Sequence, residues 1–141
     1  MAITQAMATS FKVQLLNGQQ NFSANTFKLA LYTSSATLNE NTTAYTTSNE
    51  VPSTGNYSAG GNTLTVSVTP TNSGNVAYVS FANTSWANST ITAAGALIYN
   101  NSQSNAAVCV LNFGGDKTST AGDFTIIFPT FDASNAIIRI A

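Results

Sequence analysis

The segment TLTVSVT, residues 63–69, alternates hydroxyl side chains with apolar ones at every position. Side chains of a β-strand point to opposite faces in turn, so this pattern predicts a strand with one buried and one solvated face. Residues 26–32 and 76–81 show the same period of two. Four further segments are more continuously apolar and predict strands nearer the centre of a sheet. They are residues 96–99, 107–111, 124–128 and 136–140.

Clusters of Gly, Pro, Asn and Ser separate these strands and predict turns between them. The clusters lie at residues 52–55, 59–62, 70–74, 100–105 and 114–116. Short strands with turns at fairly even intervals are typical of a sandwich or a barrel. The sequence therefore predicts an all-β fold, an antiparallel β-sandwich of jelly-roll-like form, with one short N-terminal α-helix.

The first twenty residues follow a different period. Apolar side chains recur there at every fourth position, and Asn17-Gly18 is typical of a helix end. We therefore predict one amphipathic helix over residues 5–17. Its apolar stripe has to bury against the chain's own sheet or against a neighbouring subunit. The stripe consists of Ile3, Met7, Phe11 and Leu15.

Two regions follow from these patterns, and no internal repeat is evident. Residues 1–20 form an N-terminal helical segment, and residues 21–141 form a β-sandwich domain. Residues 33–50 are polar, with Leu38 and Tyr45 as their main core candidates. This stretch predicts a loop or arm that runs over the surface.

Charge is unusually scarce in this chain. Charged residues make up 6% of the sequence, against roughly 25% in a typical soluble domain. The net charge is −1, and the four cations are far apart at Lys12, Lys28, Lys117 and Arg139. Binding to nucleic acid or to an anionic membrane requires clustered cations. We therefore predict no nucleic-acid partner and no membrane partner, and the N-terminus lacks the features of a secretory signal.

The chain is also poor in the side chains that enzymes use. It has no histidine, one cysteine and no phosphate-binding glycine motif. The fold could still bring two carboxylates to face each other across a bond, as in a glycosidase. Residues 114–123 superficially resemble a calcium loop but lack its alternating acids. We predict no catalytic residue, no cofactor and no metal. The carboxylates are Glu40, Glu50, Asp116, Asp123 and Asp132.

Several single residues carry expectations of their own. Cys109 lies in an apolar run and is expected to be buried, and Trp86 is expected in the core. Arg139 is expected to pair with a carboxylate or to project from the outer face. Tyr45 and Tyr57 lie among polar neighbours and are candidates for exposed contacts. The residues predicted to contact a partner are thus the helix stripe and these two tyrosines: Ile3, Met7, Phe11, Leu15, Tyr45 and Tyr57.

Six segments together carry a resemblance to a known group of proteins. They are residues 10–18, residues 27–38, residues 49–51 with 57–61, residues 95–100, residues 116–129 and residues 135–140. As a set they resemble a small virion protein of tailed bacteriophages of aquatic bacteria. The resemblance covers nearly the whole chain and is most specific in the last thirty or so residues.

The resemblance implies a structural role rather than a chemical one. It implies a capsid decoration, or cement, protein on the capsid surface, made in the host cytoplasm. Its partners would be the major capsid protein and copies of itself, with a homotrimer favoured. The main alternative is a tail or fibre component that binds a host receptor or glycan, with Tyr45, Tyr57 and Trp86 as stacking platforms. A hydrolytic enzyme and a self-assembling surface-layer or filament subunit are further alternatives.

Overall fold

Two long antiparallel strands form the centre of the structure, a computed structural model that describes residues 2–141. They meet at a turn over residues 101–105, and every residue of 93–100 and 106–110 is buried. The elements in chain order are β1 (Ala6–Met7), α1 (Thr9–Leu16), β2 (Phe27–Tyr32), β3 (Asn62–Thr63), β4 (Val66–Ser73), β5 (Val76–Phe81), β6 (Thr84–Asn100), β7 (Ala106–Ile126) and β8 (Ile138–Ile140).

The strands form two antiparallel sheets. One has five strands in the order β1-β7-β6-β2-β3, and the other has three in the order β4-β5-β8. A cluster of aromatic rings lies in the core, with Phe22 stacked on Phe27 at 4.5 Å and both rings close to Phe81. The ring centroids of Phe81 and Phe128 are in turn 5.8 Å apart. The predicted all-β sandwich with one short helix is confirmed.

The N-terminal helix is shorter than predicted. The sequence pattern predicted residues 5–17, whereas α1 spans Thr9–Leu16 and residues 6–7 form β1 instead. The prediction was wrong at this end because the outer edge of β7 offers unpaired backbone groups, and Ala6 and Met7 pair with it. The helix does end at Asn17 and Gly18, as predicted. Within residues 2–141, no helix has the length and apolar character needed to cross a bilayer.

Two predicted turns lie within strands. Residues 70–74 were predicted to break the chain, but β4 continues through Pro70 to Ser73 and the turn follows at Gly74. Pro70 is tolerated because β4 is an edge strand, where a missing N–H costs no sheet hydrogen bond. Residues 114–116 form part of a bulge in β7, in which residues 113–116 oppose Ala94 alone. The positive φ angles of Gly114 and Gly115 permit this bulge.

The polar stretch of residues 33–50 is a loop, as predicted, and it is held closely to the body. We call it the strap. Leu38 is buried within it, and backbone bridges attach the strap at three points along its length. The bridges join Ile3 to Leu38, Ala44 to Ala106 and Tyr32 to Glu50.

Candidate functional site

Glu50, at the end of the strap, lies at the centre of a hydrogen-bonded cluster. One carboxylate oxygen accepts a hydrogen bond from the Tyr45 hydroxyl at 2.6 Å. The other accepts from the Tyr57 hydroxyl at 2.7 Å and from the Gly60 backbone N–H at 2.8 Å. Hydrogen bonds to an ionised acceptor are roughly twice as strong as neutral ones. The carboxylate therefore fixes both the strap and the loop that follows it.

The tyrosines of this cluster connect it to the central sheet. The Tyr57 hydroxyl also accepts a hydrogen bond from the Leu31 backbone N–H in β2, at 2.9 Å. Tyr99, in β6, donates to the Gly60 carbonyl at 2.7 Å and stacks on Tyr45 with 4.7 Å between ring centroids. The cluster thus joins two loops to two strands and anchors the loops to the sheet.

Burial raises the pKa of four tyrosines around Glu50. The pKa of Tyr99 rises to about 12, and burial also raises the pKa values of Tyr32, Tyr45 and Tyr57. The nearby negative charge of Glu50 acts in the same direction, because a second negative charge beside it is unfavourable. The four phenols therefore stay protonated; Tyr45 and Tyr57 keep donating to the carboxylate, and Tyr32 and Tyr99 keep donating to backbone carbonyls.

These raised pKa values predict alkaline instability. A group whose pKa is higher in the folded state stabilises the fold below its unfolded pKa, here about 10, and loses that contribution as pH rises further. We expect the free energy of unfolding to fall steeply above pH about 10. Urea denaturation at several pH values measures this, and tyrosinate absorbance should rise together with the loss of structure. Titration of all the tyrosines near pH 10 in a chain that stays folded would contradict the expectation.

The other carboxylates lie in exposed or turn positions. Asp132 accepts hydrogen bonds from the backbone N–H groups of Ser134 and Asn135, and the side-chain amide of Asn135 lowers the pKa of this aspartate. Asp116 and Asp123 are exposed on β7, so the segment that resembled a calcium loop belongs to a strand. In the described part of the chain, no three acidic or cysteine side chains form a group able to hold a metal ion.

Cys109 is a buried free thiol in β7, as predicted. Burial raises the pKa of the thiol to about 12. The thiolate is the reactive form, so this side chain is protected both by its protonation and by its position.

We therefore expect Cys109 to resist thiol reagents until the chain unfolds. Labelling of the native protein with a maleimide should be slow, and it should become fast in concentrated urea. The rate in urea serves as the internal control for the reagent. Rapid labelling of the folded chain at neutral pH would show that Cys109 is accessible and would contradict this account.

The predicted contact residues lie at different places. Phe11 is buried with its ring edge against Phe22 at 6.0 Å, while Ile3, Met7 and Leu15 are partly buried against the core. They do not form a stripe on one helix, because Ile3 and Met7 precede it.

The aromatic candidates are mostly interior. Tyr57 is 1% exposed, so the expectation that it is exposed was wrong, and Tyr45 is partly buried in the Glu50 cluster. Trp86 is 2% exposed, which confirms its predicted place in the core. Arg139 projects outward and donates to the Ala133 carbonyl at 3.4 Å.

Several large apolar side chains are exposed, one of them in the C-terminal strand β8, and the sequence pattern did not indicate them. A groove of about 390 Å³ lies between the end of α1 and strands β5 and β8, and none of its lining residues is charged. Leu16, in the last turn of α1, is 91% exposed, and Ile140 is 54% exposed. Ile127 and Phe131 are also exposed. None of these residues belongs to the set of apolar side chains that recur at every fourth position, so the periodicity of the sequence did not identify them.

The structure thus offers two features for function. The Glu50 cluster anchors the strap, and the surface around β8 presents apolar side chains to solvent. Comparison of the chain with known families, with curated proteins and with solved structures gives no match.

Proposed function

We propose that this chain is a non-enzymatic structural protein of a tailed-phage virion, and specifically a capsid decoration protein. It would bind the major capsid protein on the outer surface of the head and associate with copies of itself, with a trimer favoured. The proposal begins from the resemblance carried by residues 116–129 and 135–140. It requires adhesion between protein surfaces and no chemistry.

The observation that carries the proposal is the exposed apolar surface around β8. Leu16 and Ile140 are large apolar side chains that stand largely in solvent. Ile140 and Leu15, the neighbour of Leu16 in α1, line an uncharged groove. Exposed apolar side chains of this kind are typical of an interaction site. With four cations and five acids in the whole chain, contacts made here would depend little on salt.

The anchored strap supports the same role. Loops that become ordered on binding cost free energy, so a preorganised protein binds its partner more tightly. Here the longest loop is already fixed by backbone bridges and by the Glu50 cluster. A body ordered in this way binds with little further entropic cost.

The tail or fibre alternative loses its proposed stacking platforms. Glycan stacking needs exposed aromatic faces, whereas Trp86 and Tyr57 are buried and Tyr45 stacks on Tyr99. We therefore favour the head shell over a receptor-binding tip.

Cryo-electron microscopy of purified virions tests the proposal. We expect density for the β body on the outer head surface at repeated lattice positions. Density confined to the tail would overturn the decoration role, and absence of the chain from virions would overturn the structural role altogether.

A rebinding experiment tests the surface. Particles stripped of the protein are mixed with the purified chain, and bound protein is measured after sedimentation. We expect Leu16→Asp to abolish rebinding, because it places a charge on the apolar surface. Thr71→Asp, at an exposed position on β4, is the matched control and should rebind normally. Equal rebinding by both variants would show that the surface around Leu16 is not the contact.

A further inference from the structure

The first described residues of the chain lie in a slot built by other elements. On one side, Ala6 pairs with Val110 of β7 in the antiparallel ladder. On the other side, the Thr4 N–H donates to the Leu38 carbonyl in the strap at 2.8 Å. Residues 2–8 therefore form an extended inserted segment, paired at Ile3 and at Ala6–Met7 and held mainly through its backbone; we call it the inserted strand.

The slot is shaped for this strand. A Cβ added to Gly95 would lie 2.8 Å from Cγ2 of Ile3 and 2.6 Å from the Leu111 carbonyl oxygen. Ile3 therefore packs directly over the bare backbone of Gly95, which leaves the space that the isoleucine fills. Every group that forms the slot comes from residue 38 or later, so none of it belongs to the inserted strand or to α1.

Backbone hydrogen bonds from the Ala8 and Thr9 N–H groups to the Val108 and Glu40 carbonyls hold the junction between the strand and α1, but the helix lacks a side-chain cap there. Ala8 occupies the cap position of α1 and gives no side-chain hydrogen bond. Thr9 and Ser10 follow, and they are residue types that cap helices well. Within residues 2–141, the Ser10 hydroxyl is buried and has no hydrogen-bond partner. If residues 2–8 leave the slot, Ser10 becomes free to cap a slightly shorter helix, which offsets part of the free energy of removing the strand.

The other sheet edges are less suited to adding a strand. β4 contains Pro70 and two register shifts, and β7 is bulged at residues 113–116. Bulges and prolines protect an edge from pairing with another chain. The remaining edge strands, β1, β3 and β8, are only two or three residues long. The slot is thus the place where this fold accepts a strand in a defined register.

We propose that residues 2–8 are an exchangeable strand, which occupies the slot of a second copy of this chain when copies assemble. The occupant is a second copy because the slot already accepts this sequence, with Ile3 over Gly95 and Ala6 opposite Val110. Exchange of an identical element between protomers needs no new contact beyond those present in one chain. Reciprocal exchange gives a dimer, and cyclic exchange gives a trimer. The inference does not depend on a role in virions.

A single substitution tests this through the native thiol. Met7 lies directly opposite Cys109 in the ladder, so Met7→Cys places a second thiol at disulfide distance. The reduced variant is held at low and at high concentration. Because the buried Cys109 thiol reacts slowly, the variant is oxidised until Ile98→Cys, treated in parallel, is fully bonded, and the products are examined on a non-reducing gel. We expect internally bonded monomer when dilute, and covalent dimer or trimer when concentrated, with the introduced thiol bonded to Cys109 by peptide mapping.

Two matched controls accompany it. Ile98→Cys faces the same Cys109 from β6, within one hairpin, and should give only internally bonded monomer at all concentrations. Met7→Cys combined with Cys109→Ala reports random cross-links between the introduced thiols. If Met7→Cys gives only internally bonded monomer at every concentration, the strand does not exchange and the proposal is overturned.

A second measurement uses the chain without added cysteines. Sedimentation of the native protein should show assembly that increases with concentration. Ser10→Ala should reduce that assembly, because it removes the cap of the open helix and leaves the closed form intact. A native chain that stays monomeric at all concentrations would overturn the proposal. Loss of capsid binding with exchange intact would instead count against the decoration role alone.

Discussion

Gly61→Ala is expected to destabilise the folded protein strongly. Gly61 has a φ of +75°, and a Cβ there would overlap the carbonyl oxygen of Leu29 and lie 2.8 Å from Cα of Ala30. The clash is with the backbone of β2, which is buried and hydrogen-bonded between β6 and β3 and has little freedom to move. Together, the left-handed conformation and the overlap should cost about 2 to 5 kcal/mol. Urea denaturation measures the loss, which is large beside a total stability of about 5 to 15 kcal/mol.

Gly74→Ala is the matched control for that substitution. Gly74 also has a positive φ, +59°, but no atom lies within 4 Å of its added Cβ. Only the conformational cost remains, about 1 kcal/mol. Similar losses of stability in the two variants would show that the close approach of Gly61 to β2 is unimportant.

Glu50→Ala should release the strap and destabilise the whole chain. The substitution leaves the hydroxyls of Tyr45 and Tyr57 and the Gly60 N–H without their acceptor. Loss of hydrogen bonds to a charged group, with buried donors left unpaired, should cost about 2 to 4 kcal/mol. Urea denaturation gives this value, and amide hydrogen exchange should show faster exchange across the strap.

Glu40→Ala is the control that separates the effect of losing the Glu50 cluster from the general effect of removing a carboxylate. Glu40 lies in the same strap, and its side chain is exposed. Its removal should change stability by no more than about 0.5 kcal/mol. If both glutamates could be replaced with equally small effects, the Glu50 cluster would not be the anchor of the strap.

The alternation of polar and apolar side chains predicted the strands only in part. In residues 26–32 and 76–81 it identified β2 and β5 to within a residue, although β2 is buried on both faces. The alternation in residues 63–69 predicted one strand, but the structure divides this segment between the end of β3 and the start of β4. β1 was missed because its pairing with β7 depends on an edge more than a hundred residues away. Local periodicity contains no information about such an edge.

The residues of the candidate site were likewise predicted only in part from the sequence. Trp86 and Cys109 were correctly placed because large apolar and thiol side chains are usually buried. Tyr57 was expected at the surface because its sequence neighbours are polar. Its burial depends on Glu50 and on the Leu31 N–H, which the fold brings to its hydroxyl. The exposure of Leu16 likewise follows from which side of α1 meets the sheet.

The pairing of Ala6 with Val110 has a consequence for biosynthesis. Translation proceeds at about 5 to 20 residues per second, so the ribosome makes β7 roughly 5 to 20 s after the residues that will lie against it. During that interval the earliest part of the chain has no template, and pairing at such long range is slow to form. Ala6 and Met7 therefore cannot pair with their own β7 during that interval, and a copy of β7 in a finished chain is available to them first.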